Sequence, residues 1–346
     1  MRYGLVGWAT ASGLGSLNVD LARNARGLAR WLIPDDAAVA PHPAYVDAVP
    51  VETMFCRAAG DEPAYARFLD GLDAVVFFEV PYLQDFDLVG ECRRRGIVTC
   101  CIPNWEWFPE TGWSEGVDML WCPTAYTADV ARAMAARRPY RWAARIFGSR
   151  WGIDTARFPF RERGPVRRFV FANGSGGYAM RKGADALHAV ARLVPEASFL
   201  FYTQNGNHPT PMPPNVEVRQ DRLSQRADLY AEGDVFLSLS RWEGIGLPAY
   251  EAQACGLPVA CADAPPMAEC GADFLLPATA PTTVRILDRD VPRWEIDTVY
   301  LARLLRDLAG ADVSARSRAA SARVRARHDV TGVLEEFEAS LARVCA

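Results

Sequence analysis

Short apolar runs alternate with glycine-bearing turns and amphipathic stretches along this chain. In the first half, Tyr3–Gly7, Ala74–Phe78, Ile97–Pro103 and Met119–Thr124 read as buried strands. In the second half Arg168–Ala172, Ser198–Thr203, Val216–Arg219, Val235–Ser240 and Val259–Ala262 do the same. Leu17, Leu21, Leu28 and Leu32 fall at helical spacing and predict one helix from Leu17 to Leu32. Phe86–Arg95 predicts a helix closed by Gly96, Thr127–Ala136 another, and Thr331–Val344 a last one. Strands alternating with helices predict an α/β fold with parallel sheets. At 346 residues the chain fits two such domains. The charged, turn-rich stretch Arg161–Arg168 is expected at the domain boundary.

The densest stretch runs from Arg241 to Val259. A strand ends, the chain turns through Glu243-Gly244-Ile245-Gly246, and Leu247-Pro248 opens a short helix that Gly256 closes. A strand, a glycine turn and a helix N-terminus together favour a phosphate group in the turn, because unpaired N–H groups and the positive end of the helix face it. Glu243 and Glu251, with seven residues between them, offer carboxylates that accept from paired hydroxyls. Their structural alternative is plainer: Glu243 ends a strand and Glu251 sits on a helix.

The run EGIGLPAYEAQACGLPV resembles the donor-site signature of retaining glycosyltransferases of family 4, which have the GT-B fold. The resemblance implies two facing doubly wound Rossmann-like domains with a cleft between them. It divides the chain into an acceptor-side domain at 1–155, a nucleotide-sugar domain at 156–328 and a helix at 329–346 that crosses back to the first. The segment Gly148–Pro159, with its Gly-Ile-Asp and Phe158, is similar to the family's interdomain segment. Glu243 with the turn of Gly244, Ile245, Gly246 and Leu247 would hold the transferred sugar, and Glu251 the ribose. Lys182-Gly183 matches a pair whose cation grips the diphosphate. The family's preceding Gly-Arg pair is replaced by Asn173-Gly174, so Arg181 becomes the candidate second cation. Arg222 and Leu223 fall where relatives seat the base. The implied reaction is retaining, metal-independent transfer from a nucleotide diphosphate-sugar to a small-molecule or glycan hydroxyl, with no cofactor. Lys182, Arg181 and Glu243 would serve its chemistry.

In the first half, Gly13 and Gly15 follow the first strand. They suit the family's donor-facing glycine loop, a tight turn, or a dinucleotide-binding turn in which Asn18 replaces the third glycine and Asp35 is the ribose-binding acid. The last reading would make the protein an NAD(P)-dependent oxidoreductase. The aromatic loop after Ile97–Pro103 presents Trp105, Glu106 and Trp107 as acceptor-binding candidates. Many relatives carry a cleft histidine in this region, and here no histidine lies between His42 and His188. That departure keeps a non-catalytic or repurposed nucleotide-binding protein in view.

Composition removes some alternatives. A net charge of −4 is wrong for a general nucleic-acid binder. Four histidines and nine scattered cysteines give little material for a metal centre, and suggest reduced thiols in a cytoplasmic protein. The first strand starts almost at Met1, leaving no room for a signal peptide, and no window reaches a membrane span of about 18 apolar residues. From Val130 to Ile153 the only charges are arginines, a run that suits a solvated face, an anionic acceptor or weak contact with an anionic membrane surface.

Overall fold

The computed structural model describes residues 1–10, 12–35, 46, 49–174, 180–220, 223 and 225–346. The chain forms two compact units. One comprises Met1–Ile153, Arg285–Arg289 and Val330–Ala346, and the other Asp154–Val284 and Asp290–Asp329.

The first unit opens with β1 (Tyr3–Val6), α1 (Gly13–Asn24), β2 (Leu28–Asp35), β3 (Glu52–Arg57) and α2 (Glu62–Leu69). It continues through β4 (Ala74–Phe78), α3 (Leu88–Arg95), β5 (Val98–Ile102), α4 (Trp113–Gly116), β6 (Met119–Trp121), α5 (Ala125–Arg137) and β7 (Ile146–Phe147). The strands make one sheet in the order β3-β2-β1-β4-β5-β6-β7, with every pairing parallel. Strand order reverses beside β1, which defines a doubly wound sheet. The last helix of the chain, Val330–Cys345, belongs to this unit. Its Phe337 meets Tyr3, Trp121 and Trp151 edge-on, and Tyr3 donates to Glu338 at 2.9 Å.

The helix expected from Leu17 to Leu32 is corrected. It begins earlier, at Gly13, because Ser12 caps it by accepting from the Gly15 amide at 3.2 Å. It stops at Asn24, and Leu28–Asp35 becomes a strand with Trp31 opposite Leu5. Leu28 and Leu32 are four apart, a spacing that shares a face in a strand as well as in a helix, so periodicity alone misassigns them.

The arginine run is threaded with acids from elsewhere in the unit. Arg137 pairs with Glu110 at 2.8 Å and Arg138 with Glu115 at 2.6 Å, while Arg141 pairs with Asp118 and Arg150 with Glu336. These partners compensate four of the six arginines in a stretch that carries no acid of its own.

The second unit holds β8 (Arg168–Gly174), α6 (Ala184–Leu193), β9 (Ser198–Thr203), β10 (Val216–Arg219), β11 (Val235–Ser238), α7 (Leu247–Ala254), β12 (Val259–Ala262) and β13 (Phe274–Leu276). The sheet order is β10-β9-β8-β11-β12-β13, again all parallel. A hairpin not foreseen from the sequence, β14 (Thr282–Ile286) and β15 (Arg289–Arg293), follows and precedes α8 (Thr298–Leu308) and α9 (Ser314–Arg327).

The charged stretch Arg161–Arg168 carries a buried clamp within the second unit. Arg163 is 2% exposed and donates to the carbonyls of Gly233 at 2.7 Å, Tyr230 at 2.9 Å, Ala231 at 3.2 Å and Cys255 at 3.3 Å. The buried guanidinium is tolerated because both of its terminal nitrogens reach backbone oxygens. Burial still lowers its pKa to about 10, against a usual 12.5. Helix α7 is buried on nearly every side, so the Glu251 it carries is 3% exposed.

Candidate functional site

Glu243 is the hub of the second unit. It is 5% exposed, and three groups converge on its carboxylate. Lys182 Nζ donates to Oε1 at 2.5 Å, Ser240 Oγ donates to the same oxygen at 2.6 Å, and Arg181 lies 3.4 Å from Oε2. Burial pushes this carboxyl up, but the charges of Lys182 and Arg181 and the bonds from Lys182 and Ser240 more than reverse it, holding it at about 2. Glu243 is therefore ionised across the physiological range. Two cations and one carboxylate leave this trio with a net positive charge.

Local backbone explains why the three meet. Gly183 has φ 80, and a Cβ there would lie 2.3 Å from the Leu239 carbonyl oxygen. Only glycine lets the chain entering α6 press against the end of β11, which sets Lys182 beside Glu243. Arg241, 4% exposed, locks the approach: it donates to the Met180 carbonyl at 2.6 Å and to both Asp185 oxygens at 2.8 and 2.6 Å. It also bonds Glu295 at 2.8 Å, and its amide donates to the Arg181 carbonyl at 2.8 Å. Sequence reasoning gave Arg241 no role. The available signal was an arginine immediately before Trp242-Glu243, with Asp185 two residues beyond Gly183.

The turn Gly244-Ile245-Gly246 leads from Glu243 into α7. Gly246 is the N-cap with φ 80, Leu247 and Pro248 open the helix, and no side chain caps it among the described residues. Glu251, one turn along, is held by two donors: Arg226 to Oε1 at 2.5 Å and Tyr230 Oη to Oε2 at 2.6 Å. Both come from the short 3-10 helix Arg226–Tyr230. Burial raises the Tyr230 hydroxyl well above its usual pKa, with the Glu251 charge adding to it, so it stays a donor. Arg226 and Tyr230 were not foreseen, since nothing in their spacing ties them to Glu251. Leu223 is half-buried, and Arg222 lies outside the described residues.

In the first unit, Gly13 and Gly15 lie within the opening turn of α1 rather than in a loop. A Cβ at Gly15 would come within 1.9 Å of the Thr10 carbonyl oxygen, so glycine is required there by backbone contact. Asn18 donates to the Trp8 carbonyl at 2.9 Å, and Asp35 ends β2. The aromatic loop divides: Trp105 is 2% exposed and edge-on to Tyr126, Glu106 is buried, and Trp107 is half-buried.

A residue the sequence did not single out stands near Trp107. Glu79 follows β4 with φ 66, and Tyr82 has φ 60. Left-handed backbone at two non-glycine residues costs about 1–3 kcal/mol each and persists only where neighbours enforce it. Here the Glu79 amide donates to the Ile102 carbonyl at 2.9 Å. Its carboxylate accepts from Asn104 at 3.3 Å and from Tyr82 Oη at 3.2 Å. Its place at the carboxyl end of a parallel strand was the legible signal.

Two doubly wound parallel sheets of this kind define the Rossmann-like GT-B fold. The comparisons with known proteins agree. Residues 170–284, which carry Lys182, Glu243 and Glu251, match the family described as glycosyl transferases group 1. The chain superposes on a glycosyltransferase from Rickettsia africae ESF-5 with TM-score 0.69 at 11% identity, covering 99% of this chain and 98% of that one. It superposes on Anabaena HepE, solved in complex with UDP-glucose, with TM-score 0.68 at 13% identity, covering 99% and 100%. Sucrose-phosphate synthase from Thermosynechococcus elongatus gives 0.64 at 14% identity, covering 99% of each chain. No curated protein matches by sequence. Among the described residues, no helix is long and apolar enough to cross a membrane.

Proposed function

We propose that this protein transfers a sugar from a nucleoside diphosphate-sugar to an acceptor hydroxyl with retention of configuration. The observation that carries the reading is the convergence of Lys182 and Arg181 on Glu243 at the glycine turn that opens α7. That trio is net positive and borders a helix N-terminus, an environment suited to a diphosphate. In the proposed step the bond from the sugar carbon to phosphate oxygen breaks. The acceptor oxygen bonds to the same face of that carbon, and the departing phosphate takes the acceptor's proton. Negative charge builds on the leaving diphosphate, and Lys182, Arg181 and the amides at Leu247 stabilise it. Glu243 orients the sugar hydroxyls, and Glu251, with Arg226 and Tyr230, the ribose. Holding both partners lowers the entropic part of the barrier.

The group 1 match over residues 170–284 and the likeness to HepE, solved with UDP-glucose, make UDP the first nucleotide to try. The test is a thermal shift against UDP, GDP, ADP, CDP and TDP, with Glu251→Ala beside the native chain. Stabilisation by one nucleoside diphosphate, lost in the variant, supports the reading and names the base. Indifference to all five overturns it.

A further inference from the structure

The first unit holds a second feature that the donor reading leaves unused, a cavity of about 770 Å³ at the carboxyl end of β4. Trp8, Tyr82 and Trp107 give it aromatic walls, and the Trp8 and Tyr82 rings lie 4.4 Å apart. Its ionisable lining is one-sided: Glu79, Asp85 and Asp87 face it, and among the described residues no lysine, arginine or histidine does. Asp87 is partly committed, since it accepts from the Gly90 amide at 2.9 Å as the cap of α3. Asp85 is exposed. Glu79 is held by Tyr82 and Asn104, both donating to it, so its carboxylate is fixed in place.

These features select a ligand class. Aromatic faces stack against the apolar face of a saturated ring and attract a cation. Fixed carboxylates accept from hydroxyls and from an ammonium group. A phosphate or carboxylate on the ligand would meet like charge with no cation among the described lining residues to offset it, so anionic compounds are disfavoured. We propose that this cavity binds the acceptor, and that the acceptor is a hydroxylated ring compound bearing a protonated amine, with Glu79 as the anchoring carboxylate. The word acceptor rests on the sugar-transfer reading; the ligand class rests on the cavity alone.

The experiment measures binding to the full chain by tryptophan fluorescence, in mildly acidic buffer that keeps the amine protonated. The probes are phenyl β-glucosaminide, phenyl β-glucoside, and phenyl β-glucoside with a phosphate on its primary hydroxyl. The glucosaminide should bind about tenfold tighter than the glucoside, and the phosphorylated probe at least about tenfold weaker than it. Added salt should narrow the first margin. In Glu79→Gln the amine preference should fall to within about threefold. Asp85→Asn, an exposed position that does not threaten folding, should narrow it by a smaller factor. The inference is overturned if the phosphorylated probe binds as tightly as the others, if no probe binds, or if the amine preference survives in both variants. Failure of the donor reading is separable, because it appears as indifference to nucleoside diphosphates whichever way these probes bind. Amine selectivity without nucleotide binding would keep the ligand class and remove the acceptor role.

Discussion

Lys182 Nζ sits 2.5 Å from Glu243 Oε1, across 61 residues of sequence, in a pocket where Glu243 is 5% exposed. The pair joins the start of one helix to the turn that opens another. Removing either partner leaves the other in a place with little water to compensate it.

Lys182→Met should therefore lower sugar transfer by about 10²–10³-fold, the effect of deleting one preorganised charge at a developing anion. Donor binding should weaken less than turnover. Steady-state kinetics with the donor named by the thermal-shift panel would check this, and an unchanged turnover would remove Lys182 from the proposed chemistry.

The depressed pKa of Glu243 makes a signed prediction about acid stability. A carboxylate held at about 2 when folded, against the usual 4.5, binds its proton more readily once unfolded. Its stabilisation, about 3 kcal/mol by linkage, is complete above pH 4.5 and disappears as pH falls towards 2. Urea unfolding of the native chain and of Glu243→Gln should differ most near neutrality and converge with acid. A gap that stays constant down to about pH 3 would contradict this linkage.

Gly183→Ala tests the backbone beneath the site. The new methyl would sit 2.3 Å from the Leu239 oxygen at a residue with φ 80, so both sterics and conformation oppose it. We expect a loss of about 2–4 kcal/mol in chemical denaturation. Transfer by the residual folded protein should fall as well, because Lys182 moves with that corner. A neutral substitution would mean the helix start can shift freely.

Arg163→Met should destabilise the second unit by about 3 kcal/mol, since four carbonyl oxygens lose their buried donor. Nucleotide binding by the folded fraction should weaken as well, because Arg163 anchors the carbonyl of Tyr230, whose hydroxyl holds Glu251. Native-state hydrogen exchange would register the loss in the segments around Tyr230 and Gly233.

Much of this protein was legible in one dimension. The apolar runs located most of the sheet strands, and the order Gly246-Leu247-Pro248 with Gly256 located the turn that opens α7 and the end of that helix, because glycine and proline have few other uses in such an order. Lys182-Gly183 stood out only through the family resemblance, and the fold then supplied the reason for the glycine, a residue at φ 80 against a carbonyl.

What the chain order could not decide was pairing across distance. The even spacing of Leu28 and Leu32 fits a strand and a helix alike, and parallel pairing with β1 selects the strand. The charges of Arg163 and Arg241 look solvated until the fold surrounds them with carbonyls and carboxylates. Arg226 and Tyr230 reach Glu251, and Glu79 reaches the aromatic cavity, only because separate elements end at the same place. Local sequence sets which conformations a segment can adopt at low cost. Which charges meet, and which are buried together, depends on contacts between residues far apart in the chain, and those exist only in the folded molecule.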